Sequence, residues 1–210
     1  MNSHQSEAAP GRPTDGVKRA EILTAATARF GRDGYENTKW ADIARDVGVG
    51  PTALYHYFES KQHCLFVILE EALTGFRTRF EELTAGAADH RAALSAVLAD
   101  CFALDEREVL RNRVLVAEQG KLAVRSVGSS REATARQDAR RRARELGRAW
   151  AAFLGDAMRA GAIAPADPRM LSLAIIGLYN SIWHWYRASG RVSLTEATAF
   201  FTARALAMVA

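Results

Sequence analysis

The stretch GVGPTALYHYFESK, residues 48–61, places five large side chains in a row within a chain that is otherwise rich in alanine, leucine and arginine. A glycine-containing turn and a proline precede them, and proline is well tolerated in the first turn of a helix. Leu54 and Phe58 are four residues apart, so they share one face of the helix predicted over about 51–57. That helix is too short to build a core, and the side chains between these two are predicted to point outward.

Two further short helices are predicted before this one. Asp15 can cap the first, and the second covers about 39–47, with Thr38 placed to accept a hydrogen bond from its first free amides. Gly48 suits the left-handed residue that often follows a helix. The inward face of the first helix is supplied by residues at helical spacing, namely Ile22, Leu23, Ala26 and Phe30. A second and third helix joined by such a turn form a helix-turn-helix, whose last helix enters the DNA major groove.

The outward positions of the third helix carry side chains suited to DNA. Small residues at its start, Thr52 and Ala53, would allow close approach to base edges. The hydroxyl and imidazole groups of Tyr55 and His56 can donate to phosphates. A packed aromatic corner is the alternative for this cluster, and a place in the core is favoured for Trp40 over a contact with DNA.

The rest of the chain also predicts helices. Asp105 with Glu108, Ser129 with Glu132 and Ser193 with Glu196 each have the spacing of a capping box, and Asp167-Pro168 is a typical helix start. No segment alternates with period two, as a half-buried strand would. We therefore predict an all-α protein of about nine helices in three segments: a disordered tail over 1–14, a helix-turn-helix domain over 15–60 and a larger helical domain over 61–210.

Composition is typical of an ordinary globular chain. The 210 residues are 49% hydrophobic and 25% charged. The two cysteines, Cys64 and Cys101, are far apart in apolar helical patterns, which favours free thiols in a reducing compartment. The beginning of the chain lacks an apolar signal segment, and the apolar run 170–186 is shorter than the roughly 20 residues of a membrane span. We expect a cytoplasmic protein.

Net charge says little about the partner. The chain carries a net +4, yet the first 63 residues hold eight Lys or Arg and eight Asp or Glu. The excess lies downstream, where Arg140, Arg141 and Arg142 are consecutive and arginines at 136, 144 and 148 follow the same helix. Glu132, Asp138 and Glu145 are within reach of i,i+4 pairing. A solvated helix face is the favoured interpretation, with binding of an anionic effector left open.

The helix-turn-helix segment resembles a known family. The pattern covers about 17–65 and ends in Leu54-Tyr-His-Tyr-Phe-x-Ser-Lys61; its earlier elements are Ile22-Leu-x-Ala-Ala, Phe30, Gly34-Tyr35, Thr38, Ile43-Ala44 and Gly48-Val49. It is similar to the DNA-binding domain of TetR-family transcriptional regulators. The resemblance implies a homodimer that binds a palindromic operator, commonly as a repressor, and is released by a small-molecule effector.

The resemblance also implies roles for particular residues. Thr38, Tyr55 and Lys61 would hold phosphates, while Thr52, Ala53 and His56 would lie at base edges. Tyr57 would stand at the groove margin, and Lys39 and Trp40 would approach the backbone. The chain departs from the family pattern at Gly50-Pro51-Thr52-Ala53, at Gln62 and at Trp40, so the sequence of the operator is not implied.

The last two helices predict a dimer interface. The helix from Pro168 is apolar on nearly every side, so one face needs a partner molecule. Paired with the next helix and with their copies, it would form a four-helix interface, as symmetric dimers often do. The residues assigned to this interface are Ile176, Trp185, Phe200, Phe201 and Met208.

The remaining helices would enclose an effector cavity, with the helix from Ser60 as the lever to the DNA. The candidates for its lining, for each of which simple core packing is the favoured alternative, are Phe76, Phe80, Leu98, Phe102, Leu115, Trp150, Phe153, Tyr179 and Trp183. The segment 183–190 resembles that of TetR-family regulators that sense acyl-CoA thioesters, which implies an acyl-CoA or another hydrophobic ligand.

Two other classes of protein compete with this prediction. An enzyme would need a metal-ligand spacing, a phosphate-binding loop or a nucleophile motif, and the five histidines offer no such spacing. A helical adaptor would use the three-helix unit for protein contacts and would lack salt-sensitive DNA affinity. We predict neither catalytic residues nor a metal or cofactor.

Overall fold

The computed structural model describes residues 15–124, 130–187 and 189–209, and every regular element in these ranges is helical. The predicted all-α fold is confirmed. The nine α-helices of the described ranges are α1 (Asp15–Asp33), α2 (Trp40–Asp46), α3 (Leu54–Tyr57), α4 (Lys61–Thr84), α5 (His90–Phe102), α6 (Glu106–Glu118), α7 (Ser130–Arg159), α8 (Pro168–Trp185) and α9 (Leu194–Ala207). The 3₁₀ turns Pro51–Ala53 and Gln119–Leu122 precede α3 and follow α6. The tail predicted for 1–14 and the cap predicted at Ser129 lie outside the described residues.

Helix caps account for several of these boundaries. Asp105 and Glu108 form a reciprocal capping box at the start of α6, and Ser193 and Glu196 form one at the start of α9. The Asp167 carboxylate accepts hydrogen bonds from two amides of α8. Each satisfies backbone donors that a helix start leaves free.

The cap predicted at Thr38 is wrong. The residue before α2 is Lys39, which provides no side-chain cap. The Thr38 hydroxyl instead donates to the Gly34 carbonyl at 2.8 Å, and Thr38 is buried. A threonine hydroxyl can donate to a carbonyl four residues earlier as readily as it accepts from a following amide. Here it donates to the Gly34 carbonyl, just after the end of α1.

The first core holds the helix-turn-helix together and extends beyond it. Ile22, Ile43, Leu54 and Phe58 are fully buried in one cluster. The same cluster includes residues of the later helices, namely Cys64, Leu65, Phe66, Ile68 and Leu69 of α4, with Val114, Leu122 and Ala139. Helix α4 thus contributes to the core on both sides of the domain boundary predicted at residue 60, which stays a prediction.

Helix α1 approaches α6 closely at Gly31. A Cβ added to Gly31 would lie 2.7 Å from the Leu110 Cβ and 2.8 Å from the Leu110 carbonyl oxygen. Backbone atoms cannot move aside as the end of a flexible side chain can, so only glycine fits here. This contact seats the helix-turn-helix against the larger helical unit.

Two further clusters fill the rest of the molecule. One joins Phe80, Leu94, Trp150 and Ile175 from α4, α5, α7 and α8, and the other surrounds Ile182 at the end of α8. Among the described residues, no helix is long and apolar enough to cross a lipid bilayer.

Candidate nucleic-acid interface and effector cavity

The third helix divides its side chains between core and surface as the sequence predicts. Leu54 and Phe58 are fully buried, whereas Tyr55 is 54% exposed, and Thr52 and His56 are also exposed. Because the two buried side chains fix the rotation of α3, the polar groups are held on its outer face. This arrangement offers a short row of hydrogen-bonding groups to a partner.

Two residues beside this row, Trp40 and Tyr57, are more buried than the row itself. Lys39 is exposed, but Trp40 is half-buried and its ring stands edge-on to Phe58 with 6.5 Å between centroids. The Trp40 indole nitrogen is buried without an acceptor in the described part of the chain. Tyr57 is half-buried against the first core. Trp40 and Tyr57 therefore frame the row rather than extend it.

The ammonium group of Lys61 is held by hydrogen bonds within the protein. Its ammonium donates to the carbonyls of Tyr35 at 2.8 Å and Thr38 at 2.9 Å, and it lies 4.2 Å from the centroid of the Tyr35 ring. Burial and the neighbouring Glu36 carboxylate raise the pKa of the Tyr35 hydroxyl. Lys61 thus fastens the start of α4 to the turn between α1 and α2.

The start of α7 contacts the end of the third helix directly. Arg131 donates to the Tyr57 carbonyl at 3.0 Å, and the Glu132 amide donates to the Glu59 carboxylate at 3.3 Å. The Ser60 hydroxyl, which caps α4, donates to the Glu132 carboxylate at 2.5 Å. Glu132 is buried, and the hydrogen bonds it makes with Ser60 and Glu59 are part-buried, whereas the Arg131 contact is exposed. Helix α7 therefore holds the segment between α3 and α4.

A buried histidine lies under this segment. The Glu59 amide donates to His63 Nδ1 at 3.2 Å, so this nitrogen is unprotonated. Burial, and then the positive charge of Arg131, lower the pKa of His63. Its ring also stands edge-on to Phe58 at 5.6 Å. A neutral imidazole is thus part of the packing behind the third helix.

A cavity of about 470 Å³ lies among α4, α5, α6, α7 and α8. This volume is within the usual range of small-molecule sites. Six residues predicted to line it do so: Phe76, Phe80, Leu98, Leu115, Trp150 and Tyr179. That they bind an effector stays a prediction.

Three predicted lining residues stand behind the wall instead. Phe102 and Trp183 pack on the Tyr179 ring, with centroids 5.2 and 5.6 Å away, and Phe153 packs on Phe80 at 5.8 Å. All three are buried. An aromatic residue at helical spacing can line the cavity or pack in the layer behind it. The sequence pattern does not distinguish these two positions.

The wall is mainly apolar, with a few polar groups. The Tyr179 hydroxyl accepts a hydrogen bond from Asn112 at 2.8 Å and donates to the Cys101 carbonyl at 3.1 Å, and burial raises the pKa of that hydroxyl. Asp100 is paired with Arg79 at 2.9 Å. Arg140 and Arg144 of α7 complete the charged part of the wall.

Sequence reasoning missed much of the wall on α7. Arg140, Ala143, Gly147 and Trp150 recur at intervals of three or four residues, so they share one helix face, and they line the cavity together with Arg144 beside them. Extending the face of Trp150 toward the start of α7 would have found them. The other lining residues that went unpredicted include Leu73, Leu83, Val97, Gln119, Leu122, Leu146, Leu173, Ile175 and Asn180.

The dimer face predicted on α8 and α9 is apolar and exposed in the single chain. Trp185, Phe200 and Met208 are 45%, 58% and 39% exposed, and Phe201 is half-buried with its ring 6.2 Å from that of Trp185. Ile176 is different, because it lines the cavity. Whether these side chains meet a second copy stays a prediction.

Comparisons with known proteins identify the family. Residues 22–68 match the family model described as "Bacterial regulatory proteins, tetR family", and residues 107–209 match "Tetracyclin repressor-like, C-terminal domain". The two matches cover both the helix-turn-helix and the helices that form most of the cavity. The chain belongs to the TetR family of bacterial regulatory proteins.

Individual relatives are distant. The chain is 32% identical to the HTH-type transcriptional repressor KstR2 of Rhodococcus jostii, over 40% of this chain and 42% of that protein. It is 29% identical to the fatty acid metabolism regulator protein of Bacillus subtilis, over 41% of this chain and 45% of that protein. The chain thus aligns with less than half the length of either relative.

Solved structures share the fold over nearly the whole chain. The structure of AibR in complex with isovaleryl coenzyme A and operator DNA superposes with a TM-score of 0.73 at 19% identity, covering 89% of this chain and 97% of that one. The ketosteroid transcriptional regulator KstR2 of Mycobacterium tuberculosis superposes with a TM-score of 0.72 at 21% identity, covering 95% and 97%. These likenesses establish the fold.

Proposed function

We propose that the protein is a ligand-responsive transcriptional repressor that binds a palindromic operator as a homodimer and leaves it when a small molecule occupies the cavity. The observation that carries the proposal is the outer face of α3. Buried Leu54 and Phe58 hold a fixed row of exposed side chains: Thr52 on the 3₁₀ turn that precedes α3, and Tyr55 and His56 on α3 itself. Helix-turn-helix proteins read the major groove with such a helix.

Each side chain of the interface has a proposed part in DNA binding. Thr52, Ala53 and His56 are assigned to base edges, and Tyr55 is assigned to a phosphate. Lys39 is exposed beside them and suits the DNA backbone. Trp40 and Tyr57 are assigned to the margin, while Thr38 and Lys61 support the interface through their internal hydrogen bonds.

Dimerisation is proposed through α8 and α9. Trp185, Phe200 and Met208 expose apolar surface that a monomer would leave in water. A two-fold axis through this face would present two copies of α3 to half-sites one or more helical turns apart, which is the geometry that a palindrome requires.

The effector is proposed to be hydrophobic, with an acyl group or an acyl-CoA as the leading candidate. The cavity has a mainly apolar wall and includes aromatic rings from three helices. Two relatives lend support by their descriptions, a fatty acid metabolism regulator and a structure holding isovaleryl coenzyme A with operator DNA.

Two helices are proposed to carry the signal. Helix α4 lines the cavity with Phe76 and Phe80 and begins at Lys61, beside the third helix. Helix α7 lines the cavity with Trp150 and holds Tyr57 and Ser60 through Arg131 and Glu132. A ligand that prefers one placement of these helices shifts the equilibrium between DNA-binding and released forms.

The regulator function is favoured over the other two classes. The family match supports a regulator rather than an enzyme, and an adaptor would have no need of a fixed polar row on α3. A DNA-binding regulator of this kind acts in the cytoplasm, which is the proposed location.

The function is tested by selecting genomic fragments with the purified full chain and sequencing those retained. Repressor function predicts enrichment of a few fragments that share one inverted repeat upstream of genes. Enrichment without a shared repeat, or no enrichment over beads alone, contradicts it. The genes beside the selected fragments would narrow the choice of effector.

A further inference from the structure

The arginines of α7 divide into two groups according to their partners. Arg141 pairs with Asp138 at 2.8 Å, and Arg142 pairs with Glu70 and with Glu145, each at 3.1 Å. Arg140 and Arg144 have no carboxylate within ion-pair distance in the described ranges 15–124, 130–187 and 189–209. The undescribed segment 125–129 contains no acidic residue.

Arg140 and Arg144 both border the cavity, whereas Arg148, which also has no ion pair with a carboxylate in the described ranges, does not border it and donates to the Arg144 carbonyl at 3.3 Å. Arg141 and Arg142 do not line the cavity either. The i,i+4 spacing of Arg140 and Arg144 places both guanidinium groups on one face of α7, where like charges repel each other. Two positive charges without counter-charges therefore lie together at the rim of a mainly apolar chamber.

The remainder of the wall does not neutralise them. Asp100 is the lining residue with a negative charge in the described part of the chain, and its partner is Arg79. Gln119 and Asn180 add neutral groups that can hydrogen-bond. The segment after the 3₁₀ turn Gln119–Leu122 is held against this part of α7, because Arg136 donates to the Val124 carbonyl. The chamber thus combines an apolar interior with a cationic rim.

We propose that Arg140 and Arg144 form a clamp for the anionic group of an amphipathic effector, whose apolar tail enters the chamber toward Phe80 and Trp150. Guanidinium groups suit this role because each can offer two parallel N–H donors to a carboxylate or a phosphate. Both a fatty carboxylate and an acyl-CoA carry the required chemistry. The proposal rests on the assignment of this cavity as the effector site in the proposed function.

The test measures direct binding of three ligands with the same ten-carbon tail to the full chain by calorimetry at pH 7.5. Decanoate and decanoyl-CoA carry an anion, and decanol does not. We expect at least one of the two anionic ligands to bind ten-fold or more tightly than decanol. The tighter of the two identifies the source of the anion. Decanol binding as tightly as both, or no binding by either anionic ligand, overturns the clamp.

Substitutions of the arginines test where the anionic group of the ligand binds. The double substitution Arg140→Gln and Arg144→Gln should weaken binding of the preferred anionic ligand at least ten-fold and change decanol affinity less than two-fold. The matched control, Arg141→Gln with Arg148→Gln, removes the same charge from residues outside the wall and should leave both affinities within two-fold. Equal losses in the two double variants would show a general charge effect and overturn the clamp.

Operator binding is measured separately with the same proteins. Retained operator affinity in Arg140→Gln/Arg144→Gln together with unchanged ligand affinity rejects the clamp and leaves the repressor function standing. Failure to select any operator rejects the repressor function, whereas the ligand titrations still decide the clamp. Thermal melts within a few degrees of wild type establish that each variant is folded.

Discussion

The Ser60 hydroxyl donates to the Glu132 carboxylate across 2.5 Å, which ties the start of α4 to the start of α7. The same serine caps α4 by accepting a hydrogen bond from the His63 amide. One side chain therefore joins two of the helices that border the cavity, α4 and α7, at the point where both reach the third helix of the DNA-binding unit.

Breaking the junction should weaken the response to effector. Glu132→Ala removes the acceptor for Ser60 and should lower the free energy of unfolding by about 1–3 kcal/mol, because a buried charge-assisted hydrogen bond is lost. We expect operator binding to persist and ligand-induced release to need more ligand. Glu82→Ala, on the exposed face of α4, is the control and should leave both properties unchanged. A normal release curve in Glu132→Ala contradicts the role of α7 in transmission.

Gly31→Ala should destabilise the protein by about 1–3 kcal/mol, the usual cost of overpacking. The added methyl would overlap the Leu110 Cβ and carbonyl oxygen, so α1 and α6 must separate. The comparison is Gly16→Ala, where an added Cβ meets nothing within 4 Å. Denaturant unfolding of both variants measures the difference, and equal stabilities would show that α1 does not sit on α6 this closely.

Tyr55 and Lys61 should respond differently to substitution. Tyr55→Phe removes one exposed hydroxyl, so we expect operator affinity to fall about two- to ten-fold with stability unchanged. Lys61→Met removes the ammonium that donates to the Tyr35 and Thr38 carbonyls and should lower stability as well as affinity. Anisotropy titrations and thermal melts separate these outcomes. If the Lys61→Met protein had wild-type stability, the internal role would be contradicted and a direct contact between Lys61 and a DNA phosphate would be favoured.

Stability should fall on mild acidification because of His63. Its pKa is lowered by burial and by Arg131, with a smaller contribution from Arg19, while Glu59 and Glu132 oppose the shift. The folded protein therefore favours the neutral ring, so this contribution is complete above the unfolded-state pKa of about 6.5 and is lost as pH falls through the folded-state pKa. Unfolding measured from pH 8 to pH 5 should show this loss.

Substitution of the histidine tests the assignment. His63→Asn, which can still accept from the Glu59 amide, should reduce the change in stability between pH 6.5 and pH 5. His56→Asn alters an exposed histidine instead and should retain the wild-type slope. The same slope in all three proteins would place the acid sensitivity elsewhere.

The apolar face of α8 and α9 should control the oligomeric state. Phe200→Asp with Trp185→Glu introduces charge where the single chain exposes aromatic surface, and we expect monomers with much reduced operator affinity. Val17→Asp changes an exposed apolar side chain on α1 and should sediment as wild type does. A doubly substituted protein that still sediments as a dimer would place the interface elsewhere.

The sequence predicts the fold more completely than the site. The four-residue spacing of Leu54 and Phe58 indicates the buried face of α3, and both side chains are fully buried. Such features can be predicted from the sequence because the helix period alone determines which side chains share a face. The capping boxes at Asp105 and Ser193 were predictable for the same reason.

Contacts that depend on how the helices pack together could not be predicted from local sequence patterns. Thr38 had two nearby backbone groups to bind, and the packing of the first helix selected the Gly34 carbonyl. Arg140 and Arg144 are indistinguishable by spacing from a solvated face, because the positions of Glu70 and the cavity relative to α7 depend on the arrangement of whole helices. Ile176 likewise lines the cavity although its helix exposes apolar surface on another face.

The most direct measurement of the central claim is a stoichiometric titration of a labelled fragment obtained by genomic selection. The account predicts saturation at two chains per inverted repeat, loss of at least ten-fold in affinity when one half-site is scrambled, and weaker binding as salt is raised. Binding that is indifferent to the repeat, or a complex containing a single chain, would contradict the assignment of this protein as a dimeric operator-binding repressor.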